Sequence, residues 1–417
     1  MTENSQSSTK FEYTTANIIN ETKGFNIDVR SVIVELELFE NISNTGITGK
    51  VLIVDNQNLF NEIKFTGTES LELTIEASSN NTSPITKTFI MSRISGVSIA
   101  NETTTAYVFT LIERHVFLSM LQKISKAYTG TPKQIINNIL TGFLDVKIKE
   151  DVLNESGPVQ TAMSLITPYI NPIVACQWVR NRSTTEKGMP YFLYGSLRSD
   201  DISFESLEAL LDKETFPEPF TYSMAGAASD DPKTIMFNII KLQSKETSDT
   251  VAAMMNGAIG SNYTVLDTTT GRTNPNKQFK ISEVLESNMY DTEFVIKDKK
   301  IDEYESSIIF DIVAPAQETT NSYNYDPDLT KLKSKIANRS FYKALTKNEM
   351  EITVSGEVFL LREDIGVGSR IDIRTIASDG QGNLKDDINK SGKYMIMTTK
   401  HLFLDNDHTV LMSVTKL

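Results

Sequence analysis

The chain has 417 residues, which is long for one hydrophobic core, so two or three domains are expected. Its 54 acidic residues outnumber 41 basic ones and give a formal net charge of −13. This balance disfavours proteins that grip nucleic-acid phosphates with clustered cations, and the single cysteine, Cys176, excludes an intrachain disulfide and a cysteine metal cluster.

The first predicted unit is a β module. Residues 1–25 are polar and are expected to extend as an arm or a first strand. From Phe25 to Glu40 apolar residues alternate with polar ones, and this period of two predicts a half-buried strand. With the alternating stretches that follow, the pattern predicts an antiparallel module over residues 1–115. Whether residues 216–234 complete this module stays open at this point.

A mixed α/β insertion is predicted at residues 116–215, where the hydrophobic period changes. Its clearest helix begins at Thr131-Pro132, a hydroxyl N-cap followed by proline at the first helical position, and ends at Gly142. The other elements predicted here are helices over Val116–Ile124, Pro158–Tyr169 and Glu205–Leu211 and a strand over Met189–Tyr194.

The second β module is predicted to be split by an insertion. Its early strands lie in residues 235–267 and its late strands in residues 350–417. The insertion, residues 268–349, contains a polar loop at Thr319–Asp328, which is typical of a surface excursion. A helix is predicted to follow this loop, from Leu329 to about Leu345.

The two modules carry similar strand patterns in the same order, as an internal duplication would leave behind. Each has a strand that follows two closely spaced glycines, then a strand led by one glycine, then a hairpin. The paired segments are residues 46–55 with 257–267, residues 67–75 with 368–373, and residues 89–112 with 394–417. Chance similarity is the alternative, since alternating strands are common in β proteins.

Residue types that often carry catalysis are few in this chain. The three histidines, His115, His401 and His408, are expected to be polar residues on strand surfaces or at module edges. Cys176 lies beside Trp178 in the alternating apolar stretch Ile173–Val179, which is typical of an inert core thiol. We therefore predict no catalytic residue, no cofactor-binding residue and no metal ligand, and a protein that is not an enzyme.

Other polar motifs have ordinary structural explanations. Gly257 and Gly260 are flanked by strand residues and are expected to serve bends rather than phosphate binding. Arg180 and Arg182 form the compact cationic spot of the insertion, where a solvated strand end is expected and an acidic partner surface is the alternative. Carboxylate pairs stand in polar loops that are typical of solvated turns, namely Asp200-Asp201, Asp230-Asp231 and Asp386-Asp387.

The N-terminal residues are polar and lack the apolar run of a signal peptide. No stretch approaches the roughly 20 apolar residues of a membrane-spanning helix. Together with the single cysteine, which agrees with a reducing compartment, these features predict a soluble protein made in a cytoplasm.

Several stretches, in their order along the chain, resemble baseplate hub proteins of T-even-type contractile-tailed phages. The run Gly46–Ile75 resembles the N-terminal module of that family. Asn171–Ser183 and Pro190–Tyr194 resemble the aromatic part of its helix-rich insertion and the strand after it. Gly392–His401 resembles the last hairpin of tail-tube-like domains, so the resemblance covers most of the chain.

This resemblance implies a structural protein that is mainly β with α/β insertions and has two tail-tube-like antiparallel β-barrel domains in one chain. It implies a homotrimer whose pseudo-sixfold ring joins the hexameric tail tube to the trimeric central spike protein and lets DNA pass through its lumen without specific binding. Further implied partners are other baseplate proteins, with no membrane insertion. The implied location is the tail baseplate of the virion, after assembly in the cytoplasm of the host bacterium.

Two other hypotheses remain open. The same fold would serve as a hub or spike-adaptor component of a non-phage contractile injection system. A glycan hydrolase that acts on the cell envelope would need a pair of carboxylates in a groove. No motif in the sequence supports such a pair.

Overall fold

The computed structural model is mainly β, as the sequence predicts, and one 14-stranded sheet runs through it. It describes residues 11–56, 60, 63–78, 83–101, 104–150, 162–185, 189–223, 236–244, 250–255, 257–267, 273–283, 295–304, 308–313, 341, 345, 349–378, 384–387 and 389–416. Among these residues, none of the helices has the length and apolar character needed to cross a bilayer.

The first module is an antiparallel sheet built from alternating sequences. Its strands are β1 (Phe11–Asn20), β2 (Phe25–Asp28), β3 (Ile33–Asn41), β4 (Thr48–Asp55), β5 (Ser70–Ala77), β6 (Ile85–Asn101) and β7 (Thr104–Glu113). They are hydrogen-bonded in the order β3–β4–β7–β6–β5–β1–β2. In β5, Leu71, Leu73 and Ile75 are buried while their neighbours are half-buried, because successive strand residues face opposite sides of a sheet.

The insertion after the first module combines short hairpins and helices. Its described elements are α1 (Arg114–Leu121), β8 (Ala127–Gly130), α2 (Pro132–Phe143), β9 (Met163–Ile166), α3 (Pro172–Arg180), β10 (Tyr191–Ser196), β11 (Ser199–Ser206) and α4 (Leu207–Asp212). Strands β8 and β9 pair antiparallel, as do β10 and β11. Side chains from α2, α3 and both hairpins form a hydrophobic cluster of their own, so the insertion has a separate core.

Helix α2 begins at the predicted residue. Thr131 Oγ1 accepts a hydrogen bond from the Gln134 backbone N–H at 3.3 Å, and Gln134 Oε1 accepts one from the Thr131 N–H at 3.0 Å. This reciprocal pair is a capping box, and Pro132 occupies the first turn. Helices α1 and α4 and strand β10 also lie within a few residues of their predicted positions.

Two predictions in the insertion are wrong. Met163–Ile166, predicted within a helix, is strand β9, because its pairing with the distant β8 outweighs local helical preference. The stretch Ile173–Val179, whose alternation suggested a strand ending at Arg180, belongs to helix α3. Its buried residues follow the helical spacing of three and four, with proline in the first turn: Pro172, Ala175, Cys176 and Val179.

The second half of the chain contains the remaining described elements. They are β12 (Phe220–Ser223), β13 (Ile239–Ser244), α5 (Thr250–Met255), β14 (Gly260–Asp267), β15 (Thr273–Lys280), β16 (Val295–Ile296), β17 (Lys299–Lys300), β18 (Ile308–Val313), β19 (Glu349–Ser355), α6 (Glu357–Leu361), β20 (Arg370–Ser378), β21 (Leu384–Asp386), β22 (Gly392–Leu404) and β23 (Asp407–Lys416). Short 3₁₀ turns lie at Ile281–Glu283 and Ile301–Glu303. Strands β16 and β17, which have two residues each, form a hairpin that is separate from the large sheet.

The two modules share one strand order. In the first, β3 to β7 are hydrogen-bonded as β5–β6–β7–β4–β3, and every pair is antiparallel. In the second, β20–β22–β23–β19–β13 follow the same order, again with antiparallel pairs. The order along the chain also matches, because β13, β19, β20, β22 and β23 take the places of β3, β4, β5, β6 and β7. This agreement in two independent orders is what a duplicated module produces.

One of the predicted matches between the two modules is wrong. Gly257–Asp267 was matched with β4, yet β14 pairs with β15 and with β18 in a small separate sheet. The strand in the place of β4 is β19, which follows the insertion. Gly260 serves a close approach instead, because a Cβ there would lie 2.4 Å from the Asp302 carbonyl oxygen.

Some predicted features lie outside the described residues. The loop Thr319–Asp328 is one, and so is the helix from Leu329 except for Phe341 and Leu345. Both of these side chains are buried in the core of the second module. The domain boundaries given above remain predictions.

Replacing Thr131 by alanine tests the start of α2. We expect this helix to lose about 1 kcal/mol of stability, because the cap hydrogen bond disappears while the helix itself is unchanged. Hydrogen exchange of the amides in residues 135–140 would measure the loss. Thr141→Ala, an exposed change inside the same helix, is the matched control and should not accelerate exchange; equal exchange in both variants would contradict the cap.

Candidate functional site: the seam between the modules

The two modules are joined by one stretch of strand pairing, which we call the seam. Strand β22 pairs with β20 near its start, and its later half pairs antiparallel with β3. The seam register runs from Thr398 opposite Asn41 to Leu404 opposite Glu35. Lys400 on β22 forms an ion pair with Glu37 on β3 across it. The backbone ladder therefore makes the sheets of both modules continuous.

A buried carboxylate, Glu40, lies near one end of the seam, opposite Thr399, with only 3% of its surface exposed. Its Oε1 accepts a hydrogen bond from the Leu197 backbone N–H at 2.8 Å. Its Oε2 accepts one from Thr399 Oγ1 at 2.6 Å and lies 3.4 Å from His401 Nε2. These partners come from the insertion and from the second module, so one side chain of the first module contacts all three units.

The ionisation of Glu40 follows from these contacts. Burial is the largest single influence and opposes the charged form. The histidine ring, the Thr399 hydroxyl and the Leu197 N–H together outweigh it and lower the pKa of Glu40 below its ordinary value. The carboxylate is thus held charged inside the seam, and its negative charge is part of the fold.

Two histidines continue this network into the core. His401 Nδ1 and His408 Nε2 lie 3.2 Å apart, so one of them carries the hydrogen and donates a hydrogen bond that the other nitrogen accepts. The His408 ring stacks on Phe403 with centroids 4.0 Å apart, and Phe403 contacts Phe11 of the first module at 5.1 Å. A Cβ at Gly356 would lie 2.3 Å from the His408 ring, so this position needs glycine.

Arg198, in the turn between β10 and β11, ties the insertion to both modules. Its guanidinium donates to the Ser83 carbonyl at 2.6 Å in the first module. It also donates to the Phe359 carbonyl and, at 2.8 Å, to the Arg362 carbonyl, both in the second module. The planar guanidinium has several donors in a fixed arrangement, and a single ammonium could not span these acceptors in the same way.

A buried ion pair inside the first module, Lys87 with Glu113, also reaches the insertion: Lys87 Nζ donates to the Ser199 carbonyl at 2.7 Å and lies near the exposed Asp200. Lys87, 3% exposed, lies with its Nζ 2.8 Å from Glu113 Oε1 and 3.1 Å from Asp200 Oδ1. The other Glu113 oxygen accepts the Ile47 backbone N–H at 2.6 Å. Nearby, His115 Nε2 lies 2.9 Å from the carbonyl oxygen of Thr45. All of these groups have defined partners, so the arrangement is a structural junction.

The histidines lie where the modules meet, at the seam and beside Glu113, but the prediction that they are surface residues is wrong. His115, His401 and His408 are 4%, 1% and 0% exposed. Their burial depends on strands that meet only in the tertiary structure, and a lone histidine in an alternating strand does not reveal it. His401 and His408 lie in the hairpin of β22 and β23, while His115 lies in the first turn of α1, so their sequence positions give no common signal of burial.

Cys176 occupies the insertion core, as predicted, and is 0% exposed. Burial raises the pKa of its thiol, which keeps it protonated and unreactive. Trp178 nearby stacks with the Arg182 guanidinium, 3.8 Å from the ring centroid, and its carbonyl accepts from Arg182 at 3.1 Å. Arg180 and Arg182 therefore lie at the end of helix α3 and not at the end of a strand.

The carboxylate pairs take structural roles where they are described. Asp201 Oδ2 lies 4.0 Å from Lys147 Nζ, and Asp387 accepts the Asn389 N–H at 2.9 Å in a turn. Asp230-Asp231 lies outside the described residues. Within the described ranges, no three histidine, cysteine or carboxylate side chains are grouped as metal ligands.

The fold matches solved structures of tail proteins. The chain is similar to the tail protein of Neisseria meningitidis MC58, with 10% identity, a TM-score of 0.55 and coverage of 98% of this chain and 96% of that one. A 43 kDa tail protein of prophage MuSo2 from Shewanella oneidensis shows 11% identity and a TM-score of 0.56, over 97% and 98% of the two chains. No protein-family model matches the chain, and no curated protein matches it either.

A third similar structure is a chain of the half-lidded PdpA–VgrG complex of Francisella. Its identity is 12%, its TM-score is 0.52, and the match covers 98% of this chain and 58% of that chain. At sequence identities of 10–12%, the similarity to these three structures is a similarity of fold alone. This chain therefore has the fold of phage tail proteins over nearly its whole length.

Replacing Arg198 by alanine tests its role as the tie between three units. We expect the free energy of unfolding to fall by about 3 kcal/mol, because hydrogen bonds from a charged donor contribute about 1.5–3 kcal/mol and several carbonyls lose theirs. Denaturant unfolding followed by tryptophan fluorescence measures the change. The control is Arg30→Ala, which removes an exposed ion pair with Asp28 and should reduce the free energy of unfolding clearly less. Equal losses of unfolding free energy in the two variants would show that Arg198 does not connect the three units.

Glu40→Gln tests the buried charge of the seam. At pH 7 the variant should lose about 2 kcal/mol, because the amide cannot accept from the same donors with a full charge. The folded pKa is lowered from 4.5, so the stabilisation is fully present above that value and disappears as the pH falls through the lowered pKa. Urea unfolding of both proteins between pH 7 and pH 3 should therefore show a shrinking difference.

The matched control for the buried charge is Glu12→Gln, which changes an exposed side chain of β1 in the same module. Its unfolding curve should follow that of the unchanged protein at each pH. A difference between Glu40→Gln and the unchanged protein that stays constant down to pH 3 would show that the charge of Glu40 does not stabilise the seam.

Proposed function

We propose that the chain is a structural hub subunit of the baseplate of a phage contractile tail. In this proposal it forms a homotrimer that joins the hexameric tail tube to the trimeric central spike. The observation that carries the proposal is the repeated strand order, with both modules joined in one continuous sheet. The similarity in fold to tail proteins and to a chain of a PdpA–VgrG complex supports it.

Symmetry explains why one chain would hold two copies of a module. Three chains with two modules each present six similar units, which is the number that a hexameric tube presents on its end. Such a ring is closed by heterologous contacts, in which a module meets a different surface of the next one. The hub thereby converts the threefold symmetry of a spike into the sixfold symmetry of a tube.

The seam supports this role because a symmetry adapter needs fixed angles between its modules. A flexible linker would let the modules vary in orientation. Here the β3–β22 ladder, the buried Glu40 network and the Arg198 tie connect them through backbone and side chains. A buried polar network of this kind is stable only when its partners are in place, so the seam favours one arrangement.

The charge of the chain fits a passage for DNA. A formal net charge of −13 gives the assembled ring a strongly acidic character. Phosphates are repelled by such a surface and are not bound, so DNA would pass through the lumen without specific contacts. The proposed location is accordingly the tail baseplate of the virion, after assembly in the host cytoplasm, with other baseplate proteins as further neighbours.

We assign the chain no catalytic reaction and no cofactor. The residue types that most often act in catalysis have structural roles here. His401 contacts Glu40 and His408, His115 contacts a backbone carbonyl, and Cys176 lies in the core of the insertion. Zymography on peptidoglycan with the purified chain tests this assignment. Clearing by this chain alone would show that it is an enzyme.

A second candidate is favoured by one observation, the likeness to a chain of a PdpA–VgrG complex. The protein would then be a hub or spike-adaptor component of a non-phage contractile injection system. The same trimer would join tube and spike in that system, and the other proteins of the assembly would differ from those of a phage. The neighbouring genes distinguish the two, since capsid genes beside tube and sheath genes indicate a phage.

The oligomeric state of the purified chain tests the proposed function. We expect a particle of three times the 46.6 kDa of one chain, because three copies supply the six modules. Light scattering coupled to size exclusion gives the mass, and negative-stain images should show rings with six lobes. A chain that stays monomeric at all concentrations and binds neither tube nor spike proteins would contradict the proposal.

A further inference from the structure

Two buried histidines face each other at the seam. His401 on β22 and His408 on β23 are 1% and 0% exposed. Their facing nitrogens, His401 Nδ1 and His408 Nε2, lie 3.2 Å apart, and the angle between the ring planes is 25°. This contact needs a hydrogen on one nitrogen and a lone pair on the other. A hydrogen on both nitrogens would bring two donors against each other.

Aromatic rings from three elements enclose the histidine pair. Phe359 of α6 contacts the His401 ring edge-on, with centroids 5.1 Å apart. Phe403 of β22 stacks on the His408 ring, and Phe11 of β1 contacts that ring edge-on at 6.4 Å. Both imidazoles are thus removed from water, and burial opposes every charge that is added to them.

The charged groups beside the pair can balance one added proton. Glu40 of β3 is charged, and its Oε2 lies 3.4 Å from His401 Nε2, where it favours one cation. Arg198 donates to the Phe359 carbonyl, so a positive charge already lies beside the ring that contacts His401. Glu363 is close enough to Arg198 to interact with its charge. A second proton on the pair would therefore meet a cation with no further carboxylate among these groups to balance it.

Other titratable side chains on the neighbouring elements have a weaker influence on the pair. Tyr13 and Tyr194 stay neutral, because burial raises the pKa of both phenols. The carboxylates and the lysine on these elements are half-buried or exposed, so solvent and salt screen them. These side chains are Glu12, Glu35, Glu37, Glu357, Lys400, Asp405 and Asp407.

We propose that the His401–His408 pair makes the closed seam sensitive to pH, so that mild acid favours separation of β22 from β3. Separation removes β3 and Phe11 from around the rings, and each imidazole can then take up its own proton with the ordinary pKa of about 6.5. In the closed seam the facing nitrogens hold one hydrogen between them. This inference does not depend on the proposed function.

The sign of the effect follows from the number of bound protons. Below about pH 6.5 the open seam binds more protons than the closed seam, so the closed seam loses stability as the pH falls. Glu40 does not cause this response, because its pKa is lowered from 4.5 and it keeps its charge down to pH 5.5. Exclusion of one proton should raise the ratio of open to closed seam about tenfold between pH 7.5 and pH 5.5.

Hydrogen exchange of the unchanged protein at pH 7.5 and pH 5.5 tests this inference. The amides that bond across the seam, within residues 35–41 and 398–404, should lose protection about tenfold in acid, after correction for the intrinsic pH dependence of exchange. Amides of β5 within residues 71–75 and of α2 within residues 135–140 should keep their protection. Unchanged protection at the seam, or an equal loss in all of these segments, would overturn the inference.

His408→Gln removes one of the two titrating rings and keeps a polar group near the position of Nε2. The tenfold loss of seam protection should disappear in this variant, because His401 beside Glu40 can then be protonated without a facing imidazole. The matched control is His115→Gln, the same change at a buried histidine that contacts the Thr45 carbonyl. It should keep the tenfold response, and a response of equal size in both variants would overturn the inference.

A second measurement on the unchanged protein keeps the test decisive if His408→Gln does not fold. Carbon-13 NMR of histidine rings labelled at Cε1 reports the protonation of each ring. At pH 5.5 we expect the closed seam to hold at most one protonated ring in the pair. Two protonated rings at a seam whose amides stay protected would show that the pair does not make the seam sensitive to pH.

Discussion

Strand β3 pairs antiparallel with β22, and this pairing joins the sheets of the two modules. It connects an N-terminal strand to the C-terminal hairpin, so the chain is closed on itself by one backbone ladder. Without it the two modules would be separate sheets with exposed edges, which invite non-specific pairing. In the folded chain, β3 and β22 each have a strand of the other module as a hydrogen-bonded neighbour.

The seam also dictates where polar groups can be buried. Glu40 is stable in the interior only because its donors arrive from β22 and from the β10–β11 turn. Thr399 and Glu40 are 359 residues apart in sequence, yet their side chains form a 2.6 Å hydrogen bond. The insertion is therefore not an appendage, since its turn completes the junction of the modules.

Local features of the fold could be predicted because they depend on neighbouring residues. The alternation in β5 and the cap at Thr131 are examples, and both lie where the sequence indicates. The prediction for β9 is wrong because its pairing partner β8 lies elsewhere in the chain, and that for α3 is wrong because a short apolar run fits a strand and a helix alike. The repeat was recognised from its hairpins, but β14 took the place of β19, since glycine-led strands look alike until their pairing is known. The candidate site was missed, as no pattern marks Glu40 or the histidines as buried.

The β-rich class and the acidic balance of this protein can be read from the amino-acid sequence without the fold. Those properties follow from composition and from a period of two, which are local quantities. The strand pairing, the burial of His401 and His408, and the contacts of Arg198 with three units become visible only in the folded chain. The physical reason is that strand pairing and the burial of charge are long-range choices, settled by partners that the linear order does not bring together.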